Sequence, residues 1–343
     1  MVDKSSEQDS ATAAGNLWPE RAARARLHFV SGKGGTGKTT VAAALALALA
    51  ADGKRVLLVE CEGRQGIAQL FDVPPLPPQD TRIATAEGGG EVSALAIDIE
   101  YALLEYLDMF YNLGFAGRAM KRIGAIDFVT TVAPGLRDVL LTGKIKERII
   151  HTDKRGNRTY DAVVVDAPPT GRIGNFLDVT KAMADLAKTG PIRSQSDGVA
   201  RLLHSDETVV HLVTLLEAMP ITETIEAVDE LTGNGINIGS LIINRVSPVL
   251  LPANEIDAIA EGRLDAPRIA ANLAQAGLSV TDDNLAGLLT ETIEHATRLQ
   301  AQQIARAQLD EVELPTLELP ALDDGIDLGS LYELANLLQK AGA

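Results

Sequence analysis

Cysteine is nearly absent from this sequence, because Cys61 is the only one among 343 residues. A single thiol excludes an internal disulfide and any metal site that needs several thiolates from one chain. Such sparing use of cysteine is typical of a reducing compartment, so we expect a cytoplasmic protein that reaches a membrane only through a partner. The histidines show no metal-ligand spacing, and we expect structural or surface roles for His28, His151, His204, His211 and His295.

Positive charge and long apolar runs are also scarce. Lysine and arginine number 31 against 47 aspartates and glutamates, which gives a formal net charge of −16. A field of that sign repels nucleic acid and anionic lipid headgroups, so we expect no nucleic-acid partner. The longest apolar run, residues 41–51, is too short to cross a bilayer. Residues 1–26 contain no apolar core of signal-peptide length, and we predict a disordered tail there.

The most informative feature that is present is the segment 32–39, which reads GKGGTGKT. It matches the phosphate-binding loop G-x-x-x-x-G-K-[ST], in which backbone N–H groups surround the phosphates of a nucleotide. A β-rich run precedes it and an Ala/Leu helix pattern follows, which is the strand–loop–helix order that this binding mode requires. Lys38 is predicted to contact the β- and γ-phosphates, and Thr39 to bind Mg²⁺. The predicted phosphate contacts are Gly34, Gly35, Thr36, Gly37, Lys38, Thr39 and Thr40.

A second lysine, Lys33, follows the first glycine of this loop. Its side chain leaves the loop on the side away from the loop's own phosphates. It is therefore suited to phosphates that a second subunit holds. The pattern predicts a dimer in which Lys33 acts in catalysis across the interface.

Short aliphatic runs alternate with helical patterns along the rest of the chain, which is typical of βαβ units. Because most runs are continuously apolar, we predict an α/β fold with a doubly wound, mostly parallel sheet and its ligand at the carboxyl ends of the strands. Two long intervals predict helical insertions at about 100–158 and 172–207, within one domain over residues 27–343. The predicted strands are 27–31, 55–60, 92–98, 162–166, 208–214 and 240–244.

Three strand ends carry polar residues suited to nucleotide chemistry. Glu62 follows the second strand, where a carboxylate can position or deprotonate attacking water, although a solvated loop carboxylate explains it equally well. Asp166 ends a buried strand before Pro-Pro-Thr-Gly, which is typical of a Walker B element that holds Mg²⁺ through water while the turn senses the γ-phosphate. Asn244 ends a late strand with an amide, which can pair with an adenine edge.

Half of the aromatic residues lie between residues 101 and 128, inside the first predicted insertion. They form either a local core or a client-binding surface. The residues are Tyr101, Tyr106, Phe110, Tyr111, Phe115 and Phe128.

Taken together, the loop with its extra lysine, the Glu62 and Asp166 segments and Asn244 resemble the ArsA-type ATPases. That family includes the arsenite-pump ATPase and the eukaryotic ATPase that targets tail-anchored membrane proteins. The resemblance runs from residue 27 almost to the C-terminus. It is nearest to the paired ArsA-like proteins of actinobacteria, usually labelled anion-transporting ATPases, in which two related subunits associate.

The resemblance implies an ATPase that uses ATP and Mg²⁺. It places Lys33 across a dimer interface, Lys38 and Thr39 at phosphates and magnesium, and Asp166 at the Walker B position. It also places Asn244 at adenine, with the segment around Pro315 to Asp323 completing the base pocket. The implied partners are a second copy or a paralogous ArsA-like ATPase, and a hydrophobic or membrane-protein client.

The chain departs from the family pattern in three ways. Where the family usually has Asp-Pro-Ala-His-Asn, residues 62–66 read Glu-Gly-Arg-Gln-Gly. The longer Glu62 side chain predicts slow hydrolysis. The cysteines that capture arsenite or share a zinc ion between subunits are missing, so neither function is expected.

Two functions remain open from the sequence. The first is an ATPase whose dimer opens and closes with nucleotide to capture and release a hydrophobic client or to drive a membrane-associated partner. The second is a weakly hydrolysing regulatory subunit of a heterodimer with a paralogous ATPase. A third class is an ATPase that partitions on DNA or membranes, which needs a basic face or an amphipathic membrane helix. The sequence disfavours this class, because residues 328–343 carry a single cation, Lys340.

Overall fold

The centre of the molecule is one eight-stranded sheet. The computed structural model describes residues 18–111, 134–178, 191–322 and 325–343. Its strands are β1 (Leu27–Gly32), β2 (Arg55–Glu60), β3 (Thr81–Thr85), β4 (Glu91–Ala96), β5 (Ala162–Asp166), β6 (Thr208–Thr214), β7 (Ile238–Val246) and β8 (Thr316–Pro320). Their order is β3-β4-β2-β5-β1-β6-β7-β8, with β3 antiparallel to β4 and the other neighbouring pairs parallel. This confirms the predicted mostly parallel α/β sheet.

Helices cover both faces of this sheet. Alternate residues of β2 enter two different apolar clusters, Leu57 and Val59 on one face and Val56 and Leu58 on the other. The helices are α1 (Glu20–Arg24), α2 (Lys38–Ala50), α3 (Gly66–Leu70), α4 (Ile99–Tyr111), α5 (Pro134–Ile150), α6 (Thr170–Leu177), α7 (Pro191–Leu203), α8 (Ala218–Gly233), α9 (Ile256–Ala260), α10 (Ala266–Gln275), α11 (Asp282–Asp310) and α12 (Leu328–Lys340).

The Ala/Leu helix α2 is buried on nearly all sides. It packs against β2 and β5 on one side and against α12 on the other. A helix that is apolar all round needs such a position, which explains the long apolar run that is too short to span a membrane. Within the described residues, no helix is both long and apolar enough to cross a bilayer.

The N-terminal boundary differs from the prediction. Residues 18–26, expected in the disordered tail, are ordered, and they include α1. Trp18 and Ala22 are buried in the cluster that contains α2. Trp18 stacks on His211 of β6, with ring centroids 4.7 Å apart. The expectation for residues 1–17 concerns a part of the chain outside the described residues.

Two edge strands were not predicted from the sequence. Strand β3 is exposed along most of its length, and β8 alternates between buried and exposed residues. Neither carries the continuous apolar run on which the other strands were recognised, because an edge strand meets solvent on one side.

The described parts of the two long intervals contain helices. Helices α4 and α5 pack together, and Lys144 of α5 donates to Glu105 of α4 at 2.6 Å. Helices α6 and α7 occupy the second interval. Residues 112–133 and 179–190 lie outside the described part of the chain, as do most side chains of the aromatic cluster. Tyr101, which is described, is exposed.

Candidate nucleotide site

The predicted phosphate loop lies at the carboxyl end of β1, in the middle of the sheet, and leads directly into α2. Gly34 and Gly35 are exposed, so the backbone of the loop is open to a ligand. Gly37 is the N-cap of α2, and no described side chain caps the first turn of that helix. Free N–H groups at the positive end of a helix dipole are suited to phosphate.

Gly37 lies against the side chain of Asn244. Its φ of 89° is in the left-handed region, and a Cβ at this position would clash with the Asn244 amide nitrogen. That nitrogen donates to the carbonyl oxygen of Thr36 at 2.8 Å. The end of β7 therefore fixes the phosphate loop in place, and only glycine fits at residue 37.

The two predicted magnesium ligands are in direct contact. Thr39 Oγ1 donates to Asp166 Oδ2 at 2.8 Å, although the residues come from α2 and β5. Burial raises the pKa of Asp166 to about 6, and Glu60 and Glu62 add to that rise while Thr39 and Lys38 oppose it. A carboxylate held among other carboxylates favours a bound cation.

Thr39 and Asp166 fit a magnesium site at which the nucleotide phosphates and water would supply the other ligands. Among the described residues, no three His, Cys, Asp or Glu side chains form a complete metal cage. Mg²⁺ commonly binds one or two protein oxygens together with substrate phosphates and water, so one hydroxyl and one carboxylate suffice.

Lys38 lies inside the same site. Its Nζ is 3.5 Å from the carbonyl oxygen of Lys33, to which it donates. Burial lowers the pKa of Lys38, while Asp166 and Glu62 raise it and Arg64 lowers it. Two of the charged groups that act on Lys38, Asp166 and Glu62, are thus residues that the sequence predicted at the same site.

Glu62 lies between two arginines. Its Oε2 is 3.3 Å from Nη2 of Arg64, and its Oε1 is 3.9 Å from Nη1 of Arg172 on α6. Only 20% of the Glu62 side chain is exposed, against 75% for Arg64. The structure therefore brings Glu62 to the site, but in ion pairs that restrict it.

A cavity of about 250 Å³ adjoins the loop on the β7 side. Gly37, Thr40 and Asn244 form one wall, and Pro320 to Leu322 with Ile326 and Leu334 form an apolar wall. Pro315, predicted at the base pocket, is not part of it. Pro315 precedes β8 and accepts from Leu241 N–H, whereas the cavity lies beyond the other end of that strand. Residues 320–322, which do line the cavity, belong to the segment 315–323 that was predicted to complete the base pocket.

Asn244 has hydrogen-bond partners within the protein. Its oxygen accepts from Arg245 N–H at 3.0 Å, while its nitrogen donates to Thr36. A side-chain amide has two N–H donors and two oxygen lone pairs, so one of each remains for a base in the cavity.

Lys33 is engaged within its own chain. Its ammonium donates to Oε1 of Glu223 on α8, and Oε2 of Glu223 accepts from Thr170 Oγ1 at 3.1 Å. Thr170 is the first residue of α6, directly after the turn that follows Asp166.

Comparison with known proteins assigns the family. The family model described as anion-transporting ATPase matches residues 25–195, which include the phosphate loop, Glu62 and Asp166. ATPase BagA of Mycobacterium tuberculosis is 63% identical over 325 residues, covering 95% of this chain and 96% of the relative. The chain belongs to the anion-transporting ATPase family. It is an ArsA-type P-loop ATPase, as the sequence predicted.

More distant relatives of this anion-transporting ATPase carry functional names. A putative arsenical pump-driving ATPase of Aquifex aeolicus is 25% identical over 267 residues, which are 69% of this chain and 84% of the relative. ATPase GET3 of Kluyveromyces lactis is 25% identical over 252 residues, which are 64% of this chain and 71% of the relative.

Sequence reasoning missed several residues at the site of this anion-transporting ATPase. Arg64 and Arg172, which pair with Glu62, were not singled out as site residues. Glu223 was not singled out either. A cation two residues after Glu62, Arg64, was visible in the sequence as a signal. The contact of Glu223 with Lys33 was not visible, since 190 residues separate them.

Proposed function

We propose that the chain binds Mg-ATP at the loop of residues 32–39 and hydrolyses it as a dimer that closes on nucleotide. The observation that carries this proposal is the 2.8 Å contact between Thr39 and Asp166, with Lys38 in the same charge cluster. Phosphoryl transfer requires little more from a protein than positioning and charge stabilisation, and this cluster supplies both.

Each residue of the cluster has a role that its position supports. The loop N–H groups and Lys38 bind the phosphate oxygens, and Thr39 and Asp166 hold magnesium directly and through water. Magnesium, when bound, neutralises charge that develops on the transferred phosphate. Glu62 orients the attacking water and accepts its proton. Asn244 and Pro320 bound the pocket for the base.

The dimer rests on Lys33. Its ammonium points to α8 rather than to the loop's own phosphate site, which supports contact with phosphates of a second subunit. That subunit is a second copy of this chain or a paralogous ATPase. One distant relative is named an arsenical pump-driving ATPase, which supports a membrane-associated partner, and the single cysteine supports a cytoplasmic location. The proposal extends to a hydrophobic client, as the resemblance to the family implies.

A regulatory role in a heterodimer is the second candidate, and the ion pairs of Glu62 favour it. A carboxylate held by Arg64 and Arg172 is less available to accept a proton from water. Single-turnover ATP hydrolysis by this chain alone, by a paralogous subunit alone and by their mixture separates the two candidates. A regulatory chain would show little turnover alone and would accelerate the mixture.

Isothermal titration with Mg-ATP tests the proposed binding site. Lys38→Ala removes the cation nearest to the β- and γ-phosphates, so we expect loss of Mg-ATP binding or of turnover. Lys54→Ala, at an exposed lysine before β2, is the control and should bind as the parent does. Unchanged affinity and turnover in Lys38→Ala would show that the phosphate loop has been wrongly assigned.

A further inference from the structure

Glu223 contacts both halves of the nucleotide site through its two carboxylate oxygens. Oε1 accepts from the ammonium of Lys33 in the phosphate loop, and Oε2 accepts from Thr170 at the start of α6. The hydrogen bond from Lys33 is the main cause that holds the pKa of Glu223 below its usual value. Burial opposes it, and the hydrogen bond from Thr170 and the charge of Lys33 lower the pKa further. A single carboxylate on α8 thus joins the loop to the turn after Asp166.

The turn after Asp166 is also tied to β1. Ser31 Oγ donates to the carbonyl oxygen of Pro168 at 2.6 Å, just before Thr170. Farther along, Gly174 of α6 lies against Glu230 of α8 so closely that a Cβ would clash with the Glu230 carboxylate. Helices α6 and α8 are therefore in close contact, and a shift of Thr170 is transmitted to α8.

Another anion can compete with Glu223 for the ammonium of Lys33. About 27% of the Lys33 side chain and 32% of the Glu223 side chain are exposed, so the ion pair is partly hydrated. A phosphate group carries more negative charge than a carboxylate and offers more acceptor oxygens. Phosphates brought close by a second subunit would compete with Glu223 for the same ammonium.

We propose that Glu223 is a positioning residue that holds Lys33 inside the free subunit. Closure of the dimer then exchanges the Lys33–Glu223 ion pair for a contact between Lys33 and the partner's nucleotide. This inference rests on the proposed role of Lys33 in trans. The exchange leaves Glu223 bonded to Thr170 alone, so the turn that senses the γ-phosphate in one subunit responds to nucleotide in the other.

The first experiment measures the ion pair in the free, full-length chain. Glu223→Gln keeps the shape of the side chain but removes its charge, and it offers Lys33 and Thr170 one acceptor oxygen in place of two. We expect an amine-acetylating reagent, read out by peptide mass spectrometry, to modify Lys33 about two- to fivefold faster in this variant, the range for a partly exposed ion pair. Glu226→Gln, at an exposed glutamate of the same helix, should leave the rate unchanged. An unchanged rate in Glu223→Gln overturns the proposal.

The second experiment measures nucleotide-dependent dimerisation by sedimentation, with Mg²⁺ and a non-hydrolysable ATP analogue, for the chain alone and with a paralogous subunit. Glu223→Gln should lower the dissociation constant of the dimer by about two- to fivefold, since Lys33 no longer leaves an ion pair. Lys33→Ala should raise it, and adding Glu223→Gln to that variant should change nothing further.

The outcomes separate the two proposals. If Lys33→Ala leaves the dimer unchanged, the trans role of Lys33 fails, while the labelling rate still decides whether Glu223 holds Lys33. If Lys33→Ala weakens the dimer and Glu223→Gln has no effect on it, Lys33 acts in trans and the competition by Glu223 is refuted.

Discussion

Glu62 illustrates how much depends on a single side chain at this site. The second strand ends two residues before it, at Glu60, so the backbone delivers a carboxylate to the carboxyl edge of the sheet. Arg64 and Arg172 then restrict that carboxylate. The position of Glu62 and its ion pairs both affect the removal of a proton from the attacking water. A general base must reach that water and must be free to accept its proton.

We predict slow hydrolysis that depends on Glu62. Glu62→Gln should abolish the remaining hydrolysis while ATP binding persists, since the amide keeps the shape but cannot act as a base. Glu62→Asp should hold or raise the rate, because a shift of about 1 Å at a catalytic group can change a rate by roughly a hundredfold.

Single-turnover hydrolysis of labelled ATP measures both variants of Glu62, and Glu87→Gln at an exposed turn serves as control. Should Glu62→Gln hydrolyse ATP as fast as the parent, Glu62 is only a loop carboxylate. The base would then have to be another residue.

At the scale of elements, the junction between the phosphate loop and α2 is held by the end of β7. Asn244 donates to Thr36, and its side chain fills the space where a Cβ of Gly37 would lie. One packed unit is thus formed by the start of α2, the turn at Gly37 and the end of β7. A change at Gly37 must therefore affect both nucleotide binding and stability.

Gly37→Ala should lower stability and weaken Mg-ATP binding together. A left-handed conformation costs a non-glycine residue about 1–2 kcal/mol, and the clash with Asn244 adds to that cost. Gly53 is a matched control, since its φ is 82° and its Cβ would meet open space. Gly53→Ala should show the backbone cost alone, in urea denaturation, with unchanged ATP affinity in calorimetry. Equal losses in the two variants would contradict the role of packing at Gly37.

At the scale of the whole molecule, a buried histidine pair connects the N-terminal segment to the centre of the sheet. Ser240 N–H donates to His211 Nδ1 at 3.2 Å, so His211 carries its proton on Nε2 and donates it to His28 Nδ1 at 3.2 Å. His28 Nε2 in turn donates to the carbonyl oxygen of Ala25 at 3.2 Å. Both rings are therefore neutral in the folded protein.

This pair makes stability depend on pH. Burial lowers the pKa of His28 from 6.5 to about 4, and burial also lowers that of His211. Because the unfolded chain binds these protons first as the pH falls below 6.5, stability is lost between pH 6.5 and about pH 4. His28 alone should account for about 2 kcal/mol between pH 7 and pH 5.

Urea denaturation at pH 7 and pH 5 measures this effect. His28→Gln should be less stable at pH 7 but lose less stability on going to pH 5, whereas His151→Gln, at an exposed histidine, should keep the parent's pH dependence. Asp166 has a raised pKa and acts in the opposite direction, but it is present in all three proteins and cancels in the comparison. An equal loss in His28→Gln and the parent would refute the assignment.

The sequence by itself determined the features that depend on neighbouring residues. The loop of residues 32–39, the strand that ends in Asp166 and the continuous apolar runs of the central strands are local patterns, and each has one structural meaning in a parallel sheet. The central strands, the family and the assignment of both Thr39 and Asp166 to magnesium followed from them. Edge strands and the packed segment that begins at Trp18 lack such a local pattern.

Only the tertiary structure decided the contacts between distant segments. Lys33 and Glu223 are 190 residues apart, and Thr170 and Glu223 are 53 apart. Which glutamate meets which lysine depends on how α6 and α8 pack on the sheet, and many exposed glutamates share the same local pattern. The cavity beside the phosphate loop lies near Pro320 for a similar reason, since β8 runs parallel to β7 and so brings its carboxyl end next to Asn244.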